Sequence, residues 1–457
     1  MPDPSAQTAH RRPSFPIPRH RLPSTGLIST FAFVLAFTSL IPYPGYPIGE
    51  NTGLEAYDVI SFALLPALLL MGVPKRQFAA VFLLLVPAAI SASAATMNGH
   101  IQSMHTGIAV LIGSTLSFAP LLTAGIVARH ECLPAILKGV CLATVIHVAA
   151  GAWQVYAFAH GFFPFLAILK NPGYTPLAPL ADTWVQYIRR PFGLFPEPSA
   201  MAAALVPWLV VLTGLVLYPD ISPIKPGRVL KALMLAALSG GVWLVIWSRS
   251  GFIVPMIVIL AAVATPRAIK AISEFYIVRR LAFVAISVAA IWMVIVFAQS
   301  QFGNRLETST AADPWAARRS SLEIGVRLPN TDLQTLMLGV GPGQSTVILQ
   351  SDEGLDTIWS VTIRQYADTG MVGLFGMLGL AGMVTFAILR SSARLLGLAA
   401  AVSWLFGVTV VTSYGLNAVW FFLVTLLNWD LLFPVEQARA WLPAIQVSRM
   451  STKGALA

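Results

Sequence analysis

Residues 189–211 read RRPFGLFPEPSAMAAALVPWLVV, and two different kinds of sequence meet in this stretch. The first part contains two adjacent arginines and a glutamate between two prolines. From Ser199 onward the stretch is an apolar run of small and aliphatic residues, which is typical of a helix that crosses a membrane. The charged part would then lie at the membrane boundary, and its role depends on the side of the membrane that it faces.

Composition places the whole chain among membrane proteins. Hydrophobic residues make up 56% of the 457 residues and charged residues only 11%, a balance outside the usual range of soluble domains. Long apolar runs recur along the chain, and their uniformity favours helices over the alternating strands of a barrel. We therefore predict an all-α polytopic membrane protein with twelve transmembrane helices, at about residues 25–42, 58–74, 77–94, 106–128, 134–158, 199–218, 229–248, 251–266, 280–299, 371–389, 395–413 and 416–434.

The positions of lysine and arginine predict the orientation. If the N-terminus is cytoplasmic, 20 of the 29 basic residues fall on the inner side, and the outer connections 43–57, 94–105 and 414–415 contain none. This is the distribution that the positive-inside rule expects, with both termini cytoplasmic. The net charge of +10 is then explained by topology and by contact with anionic lipids of the inner leaflet, and it requires no nucleic-acid partner.

The predicted spans divide the chain into three parts. Residues 1–24 are basic and rich in proline, which predicts a disordered cytoplasmic lead, and the first apolar run is interpreted as a signal anchor. Residues 25–434 form the transmembrane domain. Residues 435–457 form a cytoplasmic tail.

Two long outer segments, at about residues 159–198 and 300–370, interrupt the pattern of short loops. Long loops between membrane helices often carry function. The second segment is the large outer (periplasmic) loop. Within it, Trp315–Leu328 has apolar residues at rough helical spacing, which predicts one or two amphipathic helices there.

Basic residues on the outer side run against the positive-inside rule, and eight of the nine are arginines. They are Lys170, Arg189, Arg190, Arg249, Arg305, Arg318, Arg319, Arg327 and Arg364. A guanidinium group is always charged and can donate two parallel hydrogen bonds to the oxygens of one phosphate group. This cluster of arginines therefore predicts an anionic ligand such as a lipid-linked pyrophosphate. The alternative is that the arginines stabilise the loop by pairing with acidic residues, namely Glu307, Asp313, Glu323, Asp352 or Asp368.

Three short motifs contain further candidates, and each has a structural alternative. Arg249 lies in WSRSG, a very short connection between two spans, where its side chain could simply extend to the interface. Gly341 and Gly343 lie in LGVGPGQS, which predicts a turn or a backbone cradle for an anion. Glu197 lies at the start of a span, where it could take part in chemistry or cap the helix.

Five features follow one another between about residues 185 and 385. They are Arg190-x-x-Gly193-x-Phe195-x-x-Pro198, Ser248-Arg249-Ser250-Gly251, Arg319 in the large loop, Gly339-x-Gly341-x-Gly343, and Ala367-Asp368-Thr369-Gly370-Met371-Val372-Gly373-Leu374. In order and placement they resemble the O-antigen ligase/polymerase-like family of bacterial envelope glycosyltransferases. The resemblance implies an enzyme of the bacterial inner membrane that acts on a polyprenyl-diphosphate-linked oligosaccharide at the outer face.

The resemblance also implies roles for particular residues. Arg190 and Arg249 would bind the pyrophosphate of the donor, and the large loop would cover the cavity. Ligases of this family carry a His-Asn pair about eleven residues before the Thr-Gly, where this chain has Trp359 and Ser360. The difference favours a polymerase of repeat units (the Wzy type) for O-antigen, capsule or exopolysaccharide, with chain-length regulator and export proteins as implied partners.

We predict further substrate contacts in both outer segments. The predicted substrate-binding residues are Arg189, Arg305, Arg318, Arg319, Arg364, Gly341, Gly343 and Trp359. Trp184, Trp315 and Trp359 could stack on sugar faces, or they could anchor the chain at the membrane interface.

The predicted chemistry needs no metal and no cofactor. Arginines can stabilise a departing diphosphate without a divalent cation. The outer loops contain no Asp-x-Asp, and the nearest approach to a carboxylate pair is Asp352-Glu353. The acceptor hydroxyl needs a base, for which Glu197 is the first candidate and Asp368 and His160 are weaker ones.

Three other functions remain open. A ligase would transfer glycan to a different acceptor, and a flippase would move the same lipid-linked substrate across the membrane. A transporter usually needs charged groups at mid-membrane depth, whereas here the ionisable residue nearest the centre of a span is His147, which is more readily interpreted as a packing residue. A structural scaffold for an envelope assembly complex would leave the arginine cluster without a role.

Overall fold

The computed structural model describes residues 25–49, 52–70, 75–99, 101–104, 106–108, 111, 132–171, 179, 181–218, 224–248, 314–353, 358, 360–410 and 416–435. Within these residues the chain is mostly helical. The strands found there form one antiparallel hairpin, β1 (Tyr46–Gly49) and β2 (Thr52–Leu54), which the sequence did not predict. Apart from this hairpin, the described part of the chain confirms the predicted helical architecture.

Most of the helices are apolar and several have the length of a membrane span. They are α1 (Thr25–Ser39), α2 (Ala56–Leu70), α3 (Lys75–Met97), α4 (Leu133–Ala159), α5 (Pro198–Leu217), α6 (Arg228–Trp247), α7 (Pro314–Arg327), α8 (Leu333–Leu338), α9 (Gln344–Glu353), α10 (Val361–Leu389), α11 (Arg394–Val410), α12 (Asn417–Leu427) and α13 (Trp429–Leu432). Among the described residues, α3, α4, α5, α6 and α10 are long and apolar enough to cross a membrane, and α1, α2, α11 and α12 are shorter apolar helices. The structure therefore supports a helical protein embedded in a membrane.

Nine of the twelve predicted spans coincide with apolar helices of the structure. Most ends differ by at most four residues, but α10 begins at Val361 instead of residue 371, and the predicted span 416–434 is divided between α12 and α13. The other three, at residues 106–128, 251–266 and 280–299, lie wholly or almost wholly outside the described residues. The same holds for the predicted lead, residues 1–24, and the predicted tail, residues 435–457. The total of twelve spans therefore stays a prediction.

Helices α5 and α12 form the centre of the bundle. Every residue of α12 is buried, and α5 is buried from Ala200 to Leu215. Helix α5 packs against α6 and α11, and α12 packs against α1, α3 and α10. Between the two central helices, Trp208 meets Phe422 edge to face with ring centroids 4.9 Å apart. A helix that is apolar on all sides has to be covered by neighbours, which explains the central position of both.

Contacts between helix termini define two ends of the bundle. At one end, Arg76 at the start of α3 forms a bidentate ion pair with Asp430 of α13, at 2.6 and 2.8 Å, and Gln77 donates to Asn428 (2.6 Å). The other end carries the hairpin, the described residues 160–171 and 181–197, and helices α7–α9, and we call it the loop-rich end. The segments that the charge pattern assigns to one side of the membrane thus contact one another. The side that the loop-rich end faces stays a prediction.

Helix α10 consists of two parts that meet at Gly370. This residue has a φ of 63° and a ψ of −156°, which interrupts the helix and which glycine adopts more readily than other residues. Residues 361–369 therefore form a short arm at the loop-rich end, and the long apolar part begins after the break. The span that the sequence predicts from residue 371 begins directly after this break.

Helices α7–α9 form a small layer that packs against the arm of α10. Leu349, Ile358 and Ala367 are buried in this contact, and Leu322 and Ile324 of α7 pack against them. The amphipathic helix that the sequence predicts in the large outer loop is therefore present as α7. It covers the arm with its apolar side.

Candidate functional site

The segment between α4 and α5 carries three of the predicted site residues, Arg189, Arg190 and Glu197. A short helical turn at Ala181–Thr183 continues into a π-helical turn at Trp184–Ile188. Arg189 ends this turn with a φ of 47°, and its N–H donates to the carbonyl oxygen of Trp184, five residues earlier (2.8 Å). A positive φ is uncommon for a residue other than glycine. Residue 189 thus marks the point where the helical turn stops and the irregular stretch before α5 begins.

Trp184 is part of the interior of this segment. Its side chain is 7% exposed, and its ring centroid lies 4.9 Å from that of Phe192. With Tyr43 and Phe158 it belongs to a buried apolar cluster at the loop-rich end. A sugar platform and an interface anchor both need an exposed ring, so both roles predicted for Trp184 are wrong.

The two arginines of the segment differ in exposure. Arg189 is exposed, and its Nε donates to the carbonyl oxygen of Val185 in the preceding turn (2.9 Å). Arg190 is half-buried. Because a charge interacts more strongly with an anion where water screens it less, Arg190 is better placed than Arg189 to bind an anionic group.

Pro191 and Leu244 meet at Gly151 of α4. A Cβ atom on Gly151 would contact the Leu244 side chain and would lie 3.6 Å from Cβ of Pro191. Ser248 ends α6 one turn beyond Leu244, to whose carbonyl oxygen its N–H donates (2.9 Å). Arg249 follows Ser248 directly in the chain and lies outside the described residues. The structure thus brings two parts of the chain to Gly151. One is Pro191, which follows the two arginines, and the other is the end of α6, which precedes Arg249.

His147 is fully buried in α4, and both of its ring nitrogens are engaged. Nδ1 accepts a hydrogen bond from the N–H of Leu194 (3.0 Å), so Nε2 carries the proton and donates it to the carbonyl oxygen of Leu40 (2.7 Å). The ring also stacks on Phe195, with centroids 4.4 Å apart. The packing role that the sequence favours for His147 is confirmed.

Glu197 occupies the N-cap position of α5, but its side chain does not cap the helix. Its backbone is extended, and Pro198 takes the first helical position. Within the described first turn the carboxylate accepts no capping N–H, and it accepts a hydrogen bond from the hydroxyl of Ser199. Glu197 is half-buried beside the positive end of the helix dipole. It therefore stays a candidate base.

The motif LGVGPGQS forms a turn against the arm of α10. Its three glycines all have positive φ, at 74°, 108° and 75°. The N–H groups of Val340 and Gly341 donate to the carbonyl oxygens of Ala367 and Asp368, each at 3.0 Å. The glycines of the motif therefore allow the backbone of the turn to pack directly on the backbone of the arm.

This turn also holds the side chain of Asp368. Its carboxylate accepts hydrogen bonds from the backbone N–H groups of Gly343 and Ser345, the latter at 3.3 Å, and lies 3.7 Å from Nε of Arg364. These contacts match the structural alternatives for Gly341, Gly343 and Arg364. Asp368 is engaged with Arg364 and with the turn, and this makes it a poor candidate for a base.

Of the remaining predicted site residues, His160 is described in full and the others lie partly or wholly outside the described residues. Arg318 and Arg319 lie in α7, with side chains outside the described part of the chain, and Arg249, Arg305 and Trp359 lie wholly outside it. His160, the weaker base candidate, is exposed at the end of α4, where Nδ1 contacts the carbonyl oxygen of Tyr156 (2.8 Å).

A buried carboxylate pair at the loop-rich end is missed by the sequence analysis, which names Asp352-Glu353 as the nearest pair. Glu55 and Asp58 are 3% and 6% exposed, and Nδ2 of Asn417 donates to both, at 2.8 and 2.9 Å. Burial, and then the negative charge of Glu55, raise the pKa of the nearby Tyr43 phenol, which keeps it neutral. Among the described residues, no group of three or more His, Cys, Asp or Glu side chains could hold a metal ion.

Comparison with known proteins does not identify a family. No protein-family model matches the chain, and no curated protein matches it. The resemblance to bacterial envelope glycosyltransferases therefore rests on the motifs and on their placement.

Proposed function

We propose that this protein is a metal-independent glycosyltransferase that polymerises polyprenyl-diphosphate-linked repeat units at the outer face of the bacterial inner membrane. The observation that carries the proposal is the contact at Gly151. There the segment of Arg189 and Arg190 meets the last turn before Arg249. The connection that carries Arg189 and Arg190 and the helix that leads to Arg249 thus pack on the same helix, α4. Two guanidinium groups suit a diphosphate, which offers oxygens on several sides.

The proposed reaction is a glycosyl transfer. A bond forms between the acceptor hydroxyl oxygen and the anomeric carbon of the donor, and the bond from that carbon to the diphosphate breaks. The hydroxyl proton passes to Glu197, and the diphosphate leaves with the bonding electron pair. Arg190 and Arg249 stabilise the charge that develops on the leaving group. Preorganised donors of this kind contribute roughly 3–4 kcal/mol each to lowering a barrier.

Glu197 suits the role of base by its position. It lies in the same segment as Arg190, at the start of the central helix α5, and its carboxylate is not used to cap that helix. The hydroxyl of Ser199 donates to it, which holds the carboxylate in one orientation. A base has to lie within hydrogen-bonding reach of the proton that it accepts, and the proposal assigns this place to the Glu197 carboxylate.

The alternative of a different class is a flippase for the same substrate. Such a protein changes the charge or the contacts of groups inside the bundle as it moves its cargo. His147 lies close to the centre of a predicted span, and hydrogen bonds to two backbone groups hold it in place. This favours the enzyme. A ligase would use the same donor chemistry and differ in its acceptor.

Cells that depend on the protein for polymer provide the test. Arg190→Ala and Arg249→Ala are expected to abolish polymer, with lipid-linked repeat units accumulating on the outer leaflet. Lys231→Ala removes an exposed cation near the start of α6, at the opposite end of the bundle, and is expected to leave the polymer unchanged. Accumulation on the inner leaflet would indicate a flippase. Normal polymer in both arginine variants would refute the proposed role of the arginines.

A further inference from the structure

One side of α4 holds the segment that leads into α5. His147, Gly151 and Gln154 are spaced at i, i+4 and i+7, which places them on one side of the helix. His147 and Gln154 are fully buried, although both are polar residues in a predicted span. A buried polar group is costly unless its hydrogen bonds are made. Gln154 makes all of its hydrogen bonds with the backbone of residues 192–193, and His147 makes one with Leu194 and one with the carbonyl oxygen of Leu40.

Gln154 uses both ends of its amide group. Its Oε1 accepts hydrogen bonds from the N–H groups of Phe192 and Gly193, each at 2.9 Å, and its Nε2 donates to the carbonyl oxygen of Gly193 (2.8 Å). These three bonds are mutually consistent with one orientation of the amide. One side chain therefore fixes three consecutive peptide units, from Pro191 to Leu194.

His147 continues the contact at the next residue, where its Nδ1 accepts the N–H of Leu194. Gly193 has a φ of 60°, and a Cβ atom there would lie 2.8 Å from Nδ1 of His147. Glycine is thus required at this position both by conformation and by space. Pro191 packs on Gly151 between the two polar anchors. Residues 191–194 therefore pack closely along the side of α4 that carries His147, Gly151 and Gln154.

We propose that Gln154 and His147 are positioning residues for the transfer reaction, because they clamp the backbone of Phe192–Leu194 and so set the places of Arg190 and Glu197. Arg190 precedes the clamped stretch by two residues, and Glu197 follows it by three. The inference rests on the proposed function of these two residues. A misplacement of about 1 Å can cost roughly 100-fold in rate, so a loosened clamp slows the reaction without contact to the substrate.

Hydrogen exchange and steady-state kinetics on the purified protein test the clamp together. Gln154→Leu is similar in size and removes all three hydrogen bonds. The amides of Phe192 and Gly193 are expected to exchange at least about 10-fold faster, because their acceptor is lost, while the amides of α5 keep their rates. With a lipid-linked repeat unit as substrate, kcat is expected to fall about 10- to 100-fold and KM to change less than about threefold.

Gln77→Leu is the matched control. Gln77 is also fully buried, and it lies in α3 at the opposite end of the bundle, where Nε2 donates to Asn428 (2.6 Å). Its loss is expected to lower stability and to leave both kcat and the exchange of residues 192–193 unchanged. Gln154→Glu keeps an acceptor for both N–H groups, so it is expected to restore part of kcat relative to Gln154→Leu.

The outcomes separate the clamp from the proposed function. Unchanged exchange at residues 192–193 in Gln154→Leu would overturn the clamp. Faster exchange with unchanged kcat would overturn the positioning role and leave the polymerase proposal standing. If the unmodified protein forms no longer chains, the polymerase proposal fails and the positioning role with it, whereas the exchange data still report whether Gln154 holds the segment.

Discussion

Gly339 lies so close to Gly370 that neither position has room for a Cβ atom. A Cβ on Gly370 would come within 2.6 Å of the backbone nitrogen of Gly339, and a Cβ on Gly339 would contact the backbone of Asp368 and Thr369. Both residues have positive φ, at 74° and 63°. The glycine-rich turn and the break in α10 therefore fit each other backbone to backbone, and this contact joins the small layer of helices α7–α9 to the bundle.

Alanine at either glycine is expected to disrupt this contact. Gly339→Ala and Gly370→Ala should each lower the free energy of unfolding by at least about 2 kcal/mol, because the new Cβ meets backbone that cannot move aside and the positive φ is unfavourable. In Gly382→Ala, a control in α10, the Cβ would meet no described atom within 4 Å, and it should be neutral or stabilising by up to about 1 kcal/mol. Thermal unfolding in detergent measures the difference. Equal midpoints for all three variants would contradict the docking of the turn.

The pair Arg364 and Asp368 is expected to show strong energetic coupling. Their side chains are 13% and 4% exposed, so removal of one leaves the other charge poorly compensated. A double-mutant cycle with Arg364→Ala and Asp368→Ala should give a coupling energy of about 1–3 kcal/mol in unfolding experiments. Strictly additive effects, together with a KM that rises only in Arg364→Ala, would instead favour contact between Arg364 and the substrate.

Replacement of His147 is expected to destabilise the protein. His147→Leu removes the acceptor of the Leu194 N–H and the donor to the Leu40 carbonyl, and it should cost about 2–4 kcal/mol in the free energy of unfolding. His160→Leu is the control, because His160 is exposed and contacts its own helical turn, and it should change stability by less than about 0.5 kcal/mol. An unfolding midpoint of His147→Leu equal to that of the control would contradict the assigned hydrogen bonds.

Glu197 can be tested as a base separately from its place in the helix. Glu197→Gln keeps the size of the side chain and an acceptor for Ser199, but it cannot take up the proton. We expect kcat to fall about 100-fold or more, and the unfolding midpoint to stay nearly constant because the side chain does not cap α5. A normal kcat combined with a lowered midpoint would identify Glu197 as a structural residue.

Several features of the fold follow from local sequence patterns. A membrane helix needs a continuous apolar run, so the start of α5 at Pro198 and the start of the long part of α10 after Gly370 are predicted to within a residue. The apolar spacing of residues 315–328 predicts α7. For LGVGPGQS, the sequence leaves a turn and an anion cradle open, and the structure shows a turn whose backbone N–H groups donate to the side chain of Asp368.

Contacts between distant segments could not be predicted, because no local pattern encodes them. Gln154 binds backbone groups 38 and 39 residues further along the chain, and Asn417 joins Glu55 across 362 residues. A lone buried glutamine or asparagine in an apolar helix looks the same in sequence whether it binds a backbone or a carboxylate. The sequence does show that polar residues such as Gln154 and Asn417 lie within apolar helices. A buried amide there needs hydrogen-bond partners, although the sequence does not show which ones.

The product formed by the purified protein tests the central claim most directly. The protein is reconstituted in vesicles and supplied with a lipid-linked repeat unit alone, and the length of the lipid-linked glycan is measured over time. Our account predicts longer lipid-linked chains in the unmodified protein and none in Arg190→Ala. A requirement for a second, different acceptor would indicate a ligase. Movement of the unit across the membrane without any chain growth would contradict the claim that this protein is a polymerase.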